Sequence, residues 1–112
     1  MQDSLSRLVL ELKPADGQTL LAELEAAGIH AEATEQSQMG GLIESLAIAV
    51  PLIKIAIVIV AAFLRRKPEA RPPVLVVIIN HQNFIIELQG RSEEEVAREL
   101  ESLQQRSSEE GR

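Results

Sequence analysis

Between Leu46 and Leu64 a single charged residue, Lys54, interrupts an otherwise apolar run, LAIAVPLIKIAIVIVAAFL. A helix of ~20 apolar residues crosses a bilayer. Here the run sits in the middle of a 112-residue chain, a length that fits one domain. It must therefore span a membrane, fill a core, or join the chain to a partner. Each choice dictates a different fold for the two flanks.

The flanks read as halves of one sheet. Leu8, Leu10 and Leu12 alternate with Arg7, Val9, Glu11 and Lys13, the period of a half-buried strand. Pro14 and Gly17 end it, Asp16 is positioned to cap a helix over 17–27, and Gly28 occupies the position of a left-handed C-cap. Ile29, Ala31 and Ala33 alternate again, giving a second strand. The first 35 residues thus predict a β-α-β unit with parallel strands and a right-handed crossover.

After Pro68, Pro72 and Pro73, the aliphatic run Val74–Ile79 has the pattern of a central strand covered on both faces. Asn80-His81-Gln82-Asn83 is a tight turn, and Phe84, Ile86 and Leu88 mark the returning strand. Ser92 followed by Glu95 is a capping box, opening a helix with Val96, Leu100 and Leu103 on one stripe. Residues 104–112 are polar and read as a flexible tail.

If residues 42–64 crossed a bilayer, each flank would hold fewer than 50 residues, too few to bury a stable core alone. Trp and Tyr, the usual interfacial anchors, are absent. The expected architecture is therefore α+β: a mixed four-stranded sheet carrying helices, in one domain over 1–103. The apolar segment at 41–66 forms a long helix, or a helical hairpin broken at Pro51. The rival reading is a single-span membrane protein, with Arg65, Arg66, Lys67 and Arg71 on the cytoplasmic side.

One helix over 41–66 would be about 39 Å long, against a sheet about 20 Å deep. The overhang requires company. The residues expected to meet an oligomer mate, a partner or lipid are Leu42, Leu46, Val50, Ile53, Lys54, Ile57, Val60, Phe63 and Leu64. Lys54 falls near one line with Glu44, Pro51 and Arg65, so it either reaches solvent or pairs across an interface. Arg65, Arg66 and Lys67 form a basic helix end, suited to the macrodipole, to anionic lipid or to an acidic partner.

Catalytic signatures are absent. With no cysteine, thiolate chemistry and disulfides are excluded. His30 and His81 lack neighbouring ligands at metal spacing, and Glu93-Glu94-Glu95 is accounted for by the helix start. No glycine pattern cradles a phosphate. A net charge of −6 disfavours nucleic acid. The composition predicts a non-enzymatic chain without cofactors, cytoplasmic, self-associating, with membrane contact through its helix as a further expectation.

The layout carries a family resemblance. Gln38-Met39-Gly40-Gly41-Leu42-Ile43-Glu44 leads into the apolar segment, which closes on Leu64-Arg65-Arg66-Lys67 and is followed by two strands and an acid-opened helix. Over roughly residues 5–103 this resembles the small effector-associated constant component proteins of bacterial conflict systems. Phe63 stands where that family usually has Trp, the hairpin turn is not Asp-Gly, and Ala49-Val50-Pro51 replaces a glycine-rich stretch. The resemblance implies a non-enzymatic companion of an effector, such as a protease or a TIR-type protein.

Overall fold

A computed structural model describes residues 6–37 and 43–110. Its class is α+β, as expected, but five strands and three α-helices are present among the described residues, in the order β1 (Arg7–Leu12), α1 (Pro14–Ala26), β2 (Glu32–Ser37), β3 (Ile43–Pro51), α2 (Lys54–Arg66), β4 (Val74–Ile79), β5 (Gln82–Glu87) and α3 (Glu93–Glu110). The sheet order is β2-β3-β1-β4-β5.

The expected long helix over 41–66 is not formed. Its first part is the strand β3, and only Lys54–Arg66 is helical. The reason lies in side-chain size. Leu46, Ile48 and Val50 alternate with Ser45, Ala47 and Ala49, so the large residues enter the core and the small ones face away. Pro51 closes the strand at the position opposite Arg7.

Every pairing in the sheet is antiparallel, so the mixed four-stranded sheet is corrected to five antiparallel strands. β1 and β2 do run in the same direction. They are not neighbours, because β3 lies between them and pairs with both. β1-α1-β2-β3-α2-β4 is thus a split β-α-β arrangement of the ferredoxin-like kind, with β5 and α3 appended.

Local chemistry sets the helix ends. Pro14, expected to break the chain, is instead the first residue of α1, where its missing N–H costs nothing. Gly28 takes φ +80°. The Gly28 N–H donates to the Glu25 carbonyl and the Ile29 N–H to the Leu24 carbonyl, a Schellman closure with Leu24 and Ile29 both buried. At α3 the Ser92 N–H donates to Glu95 Oε1 at 3.1 Å and the Glu95 N–H to Ser92 Oγ at 3.2 Å. α3 continues to Glu110, so most of the expected tail is helical.

The hairpin turn is tighter than expected. Ile79 pairs with Gln82, leaving Asn80 and His81 as a two-residue loop with φ 51° and 68°, the backbone of a type I′ turn.

All the helices lie on one side of the sheet. Leu8, Leu10 and Leu12 of β1, Leu75, Val77 and Ile79 of β4, and Ile48 and Val50 of β3 form the sheet side of the core. Leu20 and Leu24 of α1, Ile57, Val60 and Phe63 of α2, and Val96 and Leu100 of α3 complete it. The other side of the sheet has no helix on it among the described residues, so β4 is covered on one face and not on both.

Candidate interaction surfaces

The helix α2 has more apolar surface than its own core can use. Ala56, Ile57, Val60, Phe63 and Leu64 point inward and are buried. On the outer side Ile55 is 52% exposed and Val58 57% exposed. Ala62 and Arg65 are exposed on the same stripe, since residues three and four apart share a helix face. Ile53 and Lys54 extend this surface at the start of the helix.

The expected interface residues therefore separate into two groups. Leu46 and Val50 on β3, and Ile57, Val60, Phe63 and Leu64 on α2, lie in the chain's own core. Ile53 and Lys54 are exposed. Leu42 lies outside the described residues, as do residues 38–41. Ile55 and Val58 were the informative positions within the apolar run. Only the location of the sheet distinguishes them from their buried neighbours.

The basic helix end is mostly consumed internally. Arg66 Nη2 donates to both carboxylate oxygens of Glu23 on α1, at 2.6 and 2.7 Å. Lys67 Nζ stands 3.9 Å from Asp16, also on α1. These pairs hold the end of α2 to the neighbouring helix. Arg71 reaches Glu93 of α3 at 3.6 Å, too long for a hydrogen bond. Its Nε and Nη2 are shielded from solvent and find no acceptor among the described residues. Arg65 and Lys54 are both exposed and make no ion pair with another described residue.

The start of α2 is poorly finished. Ile53 occupies the N-cap and offers no side-chain hydrogen bond, no acid lies in the first turn, and Lys54 places a positive charge there. Ser, Thr, Asp or Asn is the usual cap, and the helix dipole favours negative charge at this end.

The open face of the sheet is the second surface. Val9 pairs with Ala49 on one side and Val76 on the other, and Val76 pairs with Ile85. Together with Ala47 and Ile78 they form an apolar band across four strands. Ile85 is 66% exposed, and the others of the band are half-buried by their neighbours within the sheet. Glu11 and Glu87 edge this band, both exposed. At a corner Arg7 and Glu32 are paired at 3.3 Å. The alternation in β1 marks Val9 as facing away from the core, whereas β4 is aliphatic at every position and its sequence does not separate its two faces. The absence of a covering layer could not be read from it.

Among the described residues no three His, Cys, Asp or Glu side chains gather where a metal ion could be held. No helix among them is long and apolar enough to cross a membrane. Residues 43–64, the bulk of the segment weighed as a single span, are instead a sheet strand and a core helix.

Fold and surfaces define a small split β-α-β domain, extended by a hairpin strand and a helix, with apolar side chains displayed on two opposite sides. Set against protein-family models, curated proteins and solved structures, the chain matches none.

Proposed function

We propose that this chain is a non-enzymatic interaction protein that associates with itself through the outer face of α2. The fold alone assigns no role, since split β-α-β domains host many. The supporting observation is the exposure of Ile55 and Val58 in the middle of a helix whose other side is buried. Branched aliphatic side chains there give the monomer no packing in return for their contact with water. Lys54 and Arg65 flank the stripe and keep the surface compatible with water while it is unpaired.

The resemblance to effector-associated constant components supports a role beside an effector, a protease or a TIR-type protein, in a cytoplasmic bacterial conflict system. In this reading α2 joins copies of the chain, and the effector is the further partner. Molar mass measured by light scattering across a concentration series tests the self-association. A mass rising above the 12.3 kDa monomer, and falling back in Val58→Asp, is the expected result. A mass independent of concentration and unchanged by the substitution would overturn it.

A further inference from the structure

We infer that the receptor for the α2 stripe is the open sheet face of a second copy, so that the chain assembles head to tail. This rests on the self-association proposed above and names the surface that answers it.

Charge is the first argument. The stripe carries Lys54 and Arg65 without ion-pair partners among the described residues, and the sheet face carries Glu11 and Glu87 likewise exposed. Two unpaired cations thus answer two unpaired anions. Matching α2 against α2, or sheet against sheet, would bring like charges together, which costs affinity and misdirects encounter.

Size is the second. α2 has 13 residues, a length of about 20 Å. The apolar band crosses four strands, which at ~4.8 Å apart is about 14 Å, so both ends of α2 reach past it to the charged edges.

Relief is the third. Ala47 and Ala49 keep the β3 side of the face low, while Val76, Ile78 and Ile85 raise the β4-β5 side, so a helix laid across the strands meets small side chains at one end and large ones at the other. The resulting junction has helices on both faces of the sheet, a common layered architecture.

Such an interface uses different patches on the two copies, so a dimer still offers a free helix on one copy and a free sheet face on the other. The footprint of one short helix is smaller than the ~800 Å² per partner of stable complexes. Assembly is therefore weak and grows with concentration.

The test mixes two variants. Val58→Asp disables the helix stripe and leaves the sheet face intact; Ile85→Asp does the reverse. Both positions are exposed, and circular dichroism with thermal melting checks that each variant folds. Each alone is expected to remain monomeric where the wild type assembles, with association weakened at least ~10-fold. Mixed together they are expected to form a one-to-one dimer that grows no further, because one competent helix and one competent sheet face remain. A charge-reversed pair, Lys54→Glu/Arg65→Glu and Glu11→Lys/Glu87→Lys, leaves the apolar residues untouched: each alone is expected to stay monomeric, and the mixture is expected to assemble and keep growing, because both kinds of junction are complementary in it.

If Ile85→Asp assembles like the wild type while Val58→Asp does not, α2 binds something other than the sheet face. The head-to-tail inference then fails and self-association through α2 stands. If the variants are monomeric and neither mixture assembles, the inference is likewise overturned. If the wild type itself stays monomeric, both ideas fail.

Discussion

Gly17 in the first turn of α1 lies against Leu46 of β3 so closely that a Cβ added to the glycine would stand 3.0 Å from Leu46 Cδ1 and 3.2 Å from Leu46 Cβ. The contact brings the helix backbone down onto the sheet. Gly17→Ala should therefore fail to give the ~1 kcal/mol that removing a helical glycine usually yields. Gly17→Val should destabilise by about 1–3 kcal/mol through overpacking. Urea titration of the three proteins measures both.

The hairpin loop invites the opposite change. His81 sits at φ 68°, a region in which a side chain is strained and glycine is not. His81→Gly, creating the Asn-Gly pair preferred in such turns, should stabilise by about 0.5 kcal/mol. At Gly28, with φ +80°, alanine should cost about 1 kcal/mol. Thermal melts of the two single variants should move in opposite directions.

Core and surface positions on α2 should respond differently. Phe63 is fully buried, and Phe63→Ala should cost about 3–5 kcal/mol, enough to unfold much of the population. Val58→Asp, on the outer side, should change stability by about 0.5 kcal/mol or less while altering association. Denaturation and light scattering on the same samples separate these effects.

The uncapped start of α2 offers a stabilising substitution with an expected functional cost. Ile53→Asp supplies the missing cap, worth about 1 kcal/mol. Lys54→Glu adds some tenths of a kcal/mol by matching the helix dipole, up to ~1 kcal/mol. Together they should raise the melting temperature and weaken assembly, since both residues belong to the exposed surface.

Arg71 is held 3.6 Å from Glu93 between α2 and α3, with two shielded nitrogens lacking acceptors. A charge desolvated without full hydrogen bonding is a poor investment in stability. Arg71→Met should be neutral or stabilising by ~1 kcal/mol, while Glu93→Ala, which strands the guanidinium, should destabilise by a similar ~1 kcal/mol. Chemical denaturation of both variants decides the matter.

Much of the layout was legible because single residues carried it. Gly28 stopped α1, the Ser92–Glu95 box opened α3, and Leu8, Leu10 and Leu12 marked the buried side of β1. β3 was missed because LAIAV is apolar at every position, and hydrophobicity alone does not separate a strand from a buried helix. Size would have done so: large and small side chains alternate from Ser45 to Val50. Once that segment is a strand, the sheet has a fifth member and the overhanging helix disappears. The candidate surfaces were harder to read. Ile55 and Val58 differ from Ile57 and Val60 only in the side of the helix they occupy. The exposure of Val9, Val76 and Ile85 depends on where the helices do not pack.

The position of β1 at the centre of the sheet has a kinetic consequence. Arg7 pairs with Pro51 on one side and Ile78 on the other, so β1 completes its pairing only when β4, about 70 residues further along the chain, is available. Such distant pairings slow folding. Until β4 emerges, β3 and α2 have only part of the sheet to pack on, and the most apolar stretch of the chain is held in solution without its core. The segment that looks like a membrane span is thus the one most in need of a chaperone during synthesis.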